Sequence, residues 1–344
     1  MVTPVLPHQN NVQQIGYKLL SMLNFKGKRG EEVARTLISA CLWNDSVESK
    51  SRTYDVSPQT VRNYGEEQGV EVIEKLLESA RKISLKVLKG VKEIDVSIDW
   101  TTKTWYGRPV GGLGSSEEGN SWNYATATTK FNGKVLLLAF VTQVKGMTKE
   151  EIVKALVEQV VAMGFKIRLI TLDAGFYTID VLNFISQFKY IVAVPAGDVK
   201  VFEEFDGDYT TNSKRHSRDE QVKFRLSVYG SEKIKRKKVV YFARGTNLDL
   251  PKKEVLKLYD KVRSPIETSY RNIKAFLPFT SSTKFVFRML IFVLAMIFYS
   301  LFKGMARREE FRLLLILLFP GYLFNLENSL FKLLETLINT TDLF

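Results

Sequence analysis

Two carboxylates of this sequence lie where they could bind a divalent cation, and a third stands out further along the chain. Asp99 falls within the apolar run VSIDWT, Asp173 closes the apolar run RLITLD, and Glu267 belongs to a helical pattern nearer the C-terminus. A carboxylate inside an apolar strand is costly unless it is paired or bound to a cation. Open sheets also present ligands at the carboxyl ends of their strands, where Asp173 stands. Because Mg²⁺ prefers oxygen ligands, the two strand acids predict a site of this type.

Other kinds of metal site are excluded by composition. The chain has one cysteine, Cys41, and two histidines, His8 and His216, which cannot furnish a zinc site of the usual nitrogen and sulfur type or an internal disulfide. Any metal must therefore be held by oxygens.

The residues alone leave alternatives open for two of the acids. Asp95 shares the strand face of Asp99 and competes for the same role. Glu267 is preceded by Arg263 and followed by Arg271 and Lys274 at helical spacing, which is also typical of a surface helix. Ion pairs on such a helix contribute only a few tenths of a kcal/mol each, so this pattern alone favours a surface helix.

Three runs of the chain together resemble a known family. IDWT, LDAGFY and RSPIETSYRNIK are similar to motifs of the DDE transposases of bacterial and archaeal insertion sequences, in the branch with a Y-x2-R-x3-E-x6-K signature. Arg263, Glu267 and Lys274 match the last three terms at their spacings, whereas Tyr259 has three intervening residues before Arg263 instead of two. The resemblance covers roughly 94–303.

This resemblance implies a ribonuclease H-like catalytic domain whose catalytic acids and metal ligands are Asp99, Asp173 and Glu267. It implies two Mg²⁺ ions, with Mn²⁺ as a substitute, and an enzyme that binds terminal inverted repeats, cleaves the donor strand and joins its 3′-hydroxyl to target DNA. It also implies a homodimer in the DNA complex, since two element ends must be brought together. The residues expected to contact double-stranded DNA beside the metals are Arg263, Tyr270, Arg271 and Lys274.

A second DNA contact is predicted near the N-terminus. Ser57 is a good helix N-cap and Pro58 suits the first helical position, so a helix is expected to begin there after an earlier helix. This is the order of a helix-turn-helix, although a capped helix in an ordinary bundle has the same signature. The side chains expected to project outward toward DNA are Gln59, Thr60, Arg62 and Asn63.

The surrounding elements predict an α/β fold. Strand patterns at EIDVSIDWT and on both sides of Asn132-Gly133, a strong hairpin signal, are followed by alternating helices and strands, which indicates a mixed sheet flanked by helices. The domain boundaries expected are 1–91 for a helical DNA-binding domain, 92–200 and 251–304 for two parts of the catalytic domain, 201–250 for a basic β-rich insertion, and 305–344 for a C-terminal helical segment.

The charge of the chain favours a polyanionic partner. Fifty Lys and Arg against 37 Asp and Glu leave a formal net charge of +13, and segment 213–238 alone carries ten basic residues against three acids. That segment is expected either to be a solvated face or to contact a phosphate backbone. A non-catalytic DNA-binding protein and a ribonuclease H-like nuclease that does not join strands remain the alternative functions.

A membrane protein is the last alternative. The run 285–302 is apolar, but only 14 residues separate Arg288 from Lys303, fewer than the roughly 17–25 that a span needs. The first thirty residues lack the pattern of a signal peptide. The sequence therefore predicts a cytoplasmic, nucleoid-associated protein without a membrane span.

Overall fold

The computed structural model describes two compact units. The first contains the described residues up to Ile73 together with those from Phe276 onward, and the second spans Glu74–Ala275. The residues described are 21, 23–108, 110–116, 119–195, 205–211, 221–233 and 238–304. Within these ranges only the backbone is described at residues 83, 115–116, 134, 231–233, 238–240, 264–272 and 300–304. The predicted C-terminal segment 305–344 lies outside the described residues.

The first unit is helical, as the sequence predicted. Its helices are α1 (Gly30–Trp43), α2 (Val47–Thr53), α3 (Pro58–Glu67), the start of α4 (Gly69–Val87), and α8 (Phe285–Gly304). Ser57 caps α3, since its side chain accepts a hydrogen bond from the backbone N–H of Thr60 at 3.0 Å. Pro58 is the first residue of this helix, where its missing N–H costs nothing. The predicted start of the second helix in the helix-turn-helix pattern is therefore present.

Helix α8 contains the long apolar run, and it is a core helix of the first unit. Every side chain from Leu290 to Tyr299 is buried, and α8 packs against α1 and α3. Arg288 is buried too, and donates to the backbone oxygens of Ser282 at 2.6 Å and Thr280 at 2.9 Å. No helix in the described part of the chain has the length and apolarity that a membrane crossing requires.

The position of α8 differs from the predicted boundaries. The sequence assigned 251–304 to the catalytic domain, whereas the compact units divide between Ala275 and Phe276. The physical reason is the apolar surface of α8, which is buried against the N-terminal helices. Gly65 of α3 allows this close approach, because a Cβ there would stand 2.4 Å from Cδ2 of Phe287.

The second unit is built on one mixed sheet of nine strands in its described part. The strands are β1 (Glu93–Thr104), β2 (Gly114–Ser116), β3 (Gly119–Phe131), β4 (Lys134–Gln143), β5 (Lys166–Leu172), β6 (Tyr190–Val194), β7 (Asp206–Thr210), β8 (Lys223–Lys233) and β9 (Lys238–Thr246). Strands β4, β3 and β1 are antiparallel neighbours, and β5 and β6 continue the sheet in parallel with β1. This arrangement confirms the predicted ribonuclease H-like α/β fold. Asn132 and Gly133 both have positive φ in the β3–β4 turn, as the hairpin signal predicted.

Helices cover both faces of this sheet. On one face, α5 (Lys149–Ala162) and α6 (Ile179–Ile185) bury residues such as Val153 and Leu182 in the main core with Ile98 and Leu172. On the other face, α7 (Lys252–Ile273) packs through Val255, Tyr259 and Val262 on Leu169 and Ile191. Because side chains alternate along a strand, β5 contributes Leu169 to one face and Ile170 to the other.

Strands β7, β8 and β9 extend the same sheet. β9 pairs antiparallel with β6, and β8 and β7 follow in order. The predicted β-rich insertion at 201–250 therefore adds strands to the mixed sheet at the edge of β6. Residues 212–220 and 234–237, which carry much of the basic segment, lie outside the described residues.

Candidate active site

Asp99 and Asp173 stand side by side on neighbouring parallel strands. Ile98 of β1 is paired with Leu172 of β5, so each acid is the next residue along its strand. Asp173 follows the last residue of β5, at the carboxyl end where open sheets present their ligands. The backbone N–H of Trp100 donates to Oδ1 of Asp99 at 2.8 Å. The sheet register thus brings together two acids that are distant in the sequence.

Arg263 of α7 joins the two acids. Its Nη2 lies 2.7 Å from Oδ1 of Asp99 and 3.7 Å from Oδ2 of Asp173, and its Nη1 donates to the backbone oxygen of Ile98 at 3.3 Å. Arg263 and Asp99 are each only 4% exposed. The sequence predicted a DNA contact for Arg263, and the structure places its guanidinium in a buried ion pair with the strand acids. Burial by itself would lower the pKa of Arg263, but Asp99, Tyr259 and Asp173 raise it well above its ordinary value.

Asp173 is held in an unfavourable environment for its charge. Burial raises the pKa of Asp173, Arg263 opposes this by lowering it, and the negative charge of Asp99 adds to the rise. Oδ1 of Asp173 is buried and has no hydrogen-bond partner in the described part of the chain. A cation or a hydrogen-bond donor that binds a carboxylate oxygen of this kind lowers its free energy.

Asp95, the rival of Asp99 on the same strand, is engaged elsewhere. Its two carboxylate oxygens accept hydrogen bonds from Nε and Nη2 of Arg168, at 2.8 and 2.5 Å. A bidentate pair with an arginine accounts for this acid without a metal. The structure therefore separates the roles of Asp95 and Asp99, which the sequence pattern left open.

Tyr259 takes part in the site although its spacing departs from the family signature. Its hydroxyl donates to the backbone oxygen of Leu172 at 3.2 Å, directly before Asp173. Its ring lies 4.1 Å from Cζ of Arg244 and 6.0 Å from Cζ of Arg263. Sequence reasoning missed Arg244, because its neighbourhood depends on the pairing of β9 with β6 and no local motif signals it.

The remaining acid and its neighbours are placed only by their backbone. Positions 267, 270 and 271 lie in α7, with Glu267 one helical turn after Arg263. The side chains of Glu267, Tyr270 and Arg271 lie outside the described set, so their predicted roles stay predictions. Lys274 follows in a 3₁₀ turn and is exposed.

The predicted DNA-reading residues of α3 do not all point outward. Gln59 is exposed and donates to the side-chain oxygen of Asn63 at 2.8 Å, and Thr60 contacts Oγ of Ser57. Arg62 instead forms an ion pair with Glu48 and is 18% exposed in its side chain.

Asn63 is also engaged within the helical unit, where its Oδ1 accepts a hydrogen bond from Nζ of Lys284 at 3.0 Å. The structure therefore gives Arg62 and Asn63 partners within the helical unit, and their predicted contact with DNA stays a prediction. The carboxylate of Glu48 and the ammonium of Lys284 lie within reach of this side of α3 and pair with these two side chains.

Asp99 and Asp173 suit the predicted cation. They supply hard oxygen ligands from adjacent strand positions, and Oδ1 of Asp173 has no hydrogen-bond partner among the described residues. Among the described side chains no group of three His, Cys, Asp or Glu residues could hold a metal. The third predicted ligand, Glu267, belongs to the undescribed side chains of α7.

Comparisons with known proteins agree with this fold. The family profile described as Transposase DDE domain matches residues 92–298, and the profile described as Domain of unknown function (DUF4322) matches residues 2–67. A cryo-EM structure of the piggyBac transposase synaptic complex with hairpin DNA is similar with a TM-score of 0.50 and 11% identity, over 90% of this chain and 80% of that one. At this identity the similarity concerns the fold alone. No curated protein matches the chain.

Proposed function

Because the chain belongs to the Transposase DDE domain family, we propose that it is a metal-dependent DNA transposase that moves an insertion sequence by cut and paste. It would bind the terminal inverted repeats of the element, cleave the donor strands and join their 3′-hydroxyls to target DNA. The observation that carries this proposal is the meeting of Asp99 and Asp173 at one guanidinium, that of Arg263.

The proposal assigns the metal ligands to three acids. Asp99, Asp173 and Glu267 would hold two Mg²⁺ ions, for which Mn²⁺ is a substitute. When bound, such ions would activate an oxygen nucleophile and stabilise the leaving oxygen of an in-line displacement at phosphorus. The assignment of Asp173 is supported by its buried Oδ1, which has no hydrogen-bond partner among the described residues, and by its raised pKa, of which burial is the largest cause.

The chain's own residues would orient this site. Arg263 holds Asp99 through Oδ1 and holds β1 through the backbone oxygen of Ile98. Tyr259 holds the end of β5 through the backbone oxygen of Leu172. Both residues come from α7, so the helix that carries Glu267 is tied to the strands that carry the other acids. Preorganisation of this kind keeps reacting groups aligned with the scissile phosphate.

Positively charged residues of the chain would bind the DNA partner. The net charge of +13 supports a phosphate-backbone contact, and Lys274, which is exposed after α7, stands near the predicted site in sequence. Arg271 and Tyr270 belong to the same proposed contact, and Gln59 and Thr60 of α3 to a second one. The piggyBac protein is described in a synaptic complex with hairpin DNA. For this chain we propose DNA binding as a homodimer in the nucleoid, because two element ends must be brought together.

The test is a cleavage assay on a duplex that carries one element end, in Mg²⁺. Asp99→Asn is expected to lower strand cleavage by about 10²–10³-fold, because it removes a ligand of the ions that would stabilise charge in the transition state. DNA binding should stay near the wild-type level, since the basic surface is unchanged. Asp95→Asn is the matched control on the same strand, because Asp95 is paired with Arg168, and it should cleave normally.

Near-normal cleavage by Asp99→Asn would refute the proposed catalytic role. Cleavage by the wild type without any joining to a target duplex would indicate the alternative, a ribonuclease H-like nuclease. Binding without any cleavage would indicate a non-catalytic DNA-binding protein.

A further inference from the structure

Arg244 of β9 is a cation without an acidic partner in the described part of the chain. Its Nη1 donates to the backbone oxygen of Ala243 at 2.9 Å, and its Nε is buried without a hydrogen-bond partner there. A guanidinium carries five N–H donors, so most of the hydrogen-bonding capacity of Arg244 has no partner among the described residues. Unsatisfied buried donors are rare in native proteins and call for an explanation such as a ligand.

Other arginines of the same sheet unit are paired with acids. Arg225 on the neighbouring strand β8 binds both carboxylate oxygens of Asp206, Arg168 does the same with Asp95, and Arg263 pairs with Asp99. Arg244 faces none of these carboxylates within ion-pair distance. Its positive charge is therefore not neutralised by any of these three carboxylates.

Two aromatic rings hold the Arg244 guanidinium in place. Cζ of Arg244 lies 4.1 Å from the centre of the Tyr259 ring and 5.2 Å from that of Phe242. Tyr259 is itself buried and hydrogen-bonded to Leu172. A cation stacked on rings loses little conformational freedom when it binds a ligand, and its planar fork suits two oxygens of one phosphate.

Strand register aligns Arg244 with the two catalytic acids. Leu172 pairs with Val192 of β6, so Asp173 is level with the next residue, Ala193, and Ala193 pairs with Arg244. Residues level with each other across a sheet share a face, here the face that α7 covers. Arg244 lies two strands beyond β5, a backbone distance of about 10 Å at roughly 4.8 Å per strand.

We propose that Arg244 binds a backbone phosphate of the element end, about three nucleotides from the cleaved bond. This inference rests on the proposed transposase function and names a substrate contact of the same site. The interval follows from the backbone distance across the sheet and a rise of about 3.4 Å per nucleotide along one strand. The partly exposed side chain and, among the described residues, the unused donors and the lack of an acidic partner all agree with a phosphate as the ligand.

The test combines variants of Arg244 with single methylphosphonate substitutions along the element-end duplex. Arg244→Met keeps apolar packing on Tyr259 and removes the charge, and Arg244→Lys keeps the charge and removes the fork. In wild type, one neutral phosphate near the third nucleotide should weaken binding by about tenfold or more, as loss of a charged hydrogen bond does. Arg244→Met should bind normal DNA correspondingly less well and show no additional loss at that phosphate.

Controls separate this contact from a purely structural role. Arg168→Met removes an arginine that is paired and 61% exposed in its side chain, and should keep the wild-type methylphosphonate profile. Arg244→Lys should fold and bind the element-end duplex with intermediate affinity. The test can therefore be made with this variant if Arg244→Met does not fold. An Arg244 variant that keeps the wild-type sensitivity at every phosphate overturns the inference. A wild-type protein that binds no element end overturns the proposed function itself.

Discussion

At the scale of single residues, Asp173 is an acid whose negative charge is disfavoured by its surroundings. The acid is mostly buried beside Asp99, and its charge is offset first by Nη2 of Arg263, 3.7 Å away, and then by hydrogen bonds from the backbone N–H groups of Gly175 and Phe176. Arg263 binds Asp99 more closely than Asp173, at 2.7 against 3.7 Å. The less well compensated acid is therefore the one that gains most from a bound cation.

The raised pKa of Asp173 predicts a pH-dependent stability. A carboxyl whose pKa is raised by folding contributes stability below its unfolded pKa of about 3.9, and this contribution is lost as pH rises through the raised value. The Asp173→Asn variant has no ionisable group at this position, so its stability should not fall for this reason as pH rises. Its free energy of unfolding should therefore increase relative to wild type from pH 4 to pH 7, as measured by denaturant unfolding in EDTA.

The slope of this difference is the informative quantity, because an asparagine also changes local hydrogen bonding by a constant amount. A difference in unfolding free energy that does not grow with pH would contradict the assigned burial effect at Asp173.

At the scale of elements, α7 is the helix that assembles the site. It packs on the sheet through Val255, Tyr259 and Val262 and presents Arg263 to the acids. Its exposed positions are strongly charged. For this reason the sequence pattern is also typical of a surface helix with ion pairs. Only contact with Leu169 and Ile191 reveals its buried face.

Packing of α7 should therefore affect catalysis from a distance. Val255 is fully buried and lies two turns before Arg263. Val255→Ala should lower the free energy of unfolding by about 1–3 kcal/mol through lost burial and a residual cavity. Cleavage of the element end should fall as well, because Arg263 and Glu267 shift with the helix.

The matched control is Lys257→Ala on the exposed side of α7. Thermal and denaturant unfolding should detect a change of no more than about 0.5 kcal/mol. Equal destabilisation by both variants would argue that α7 does not depend on its apolar face.

At the scale of the whole molecule, two compact units and a large positive charge define the chain. The helical unit buries α8, and the sheet unit carries the acids. The net charge of +13 acts on DNA through the phosphate backbone and does not depend on base sequence.

Binding to DNA should accordingly depend steeply on salt. If the protein contacts six to ten phosphates, affinity should fall by about 10³–10⁵-fold between 50 and 200 mM salt as counterions are released. Fluorescence anisotropy on an element-end duplex measures the slope. A nearly flat salt dependence would contradict a backbone-dominated interface.

Local signals in the sequence predicted the elements well. Ser57 caps α3 and Asn132-Gly133 turns β3 into β4, because caps and tight turns depend on a few adjacent residues. The composition also excluded a zinc site, and the resemblance pointed to Asp99 and Asp173 as partners. These conclusions required only short-range spacing and residue type.

Tertiary structure alone decided which charges meet. It paired Asp95 with Arg168 and Arg62 with Glu48, placed Arg263 between the strand acids, and left Arg244 without an acid in the described chain. It also grouped α8 with the N-terminal helices. Such contacts depend on strand register and on helix packing between distant segments. Local periodicity does not encode them, because each strand or helix presents the same pattern whichever neighbour it receives.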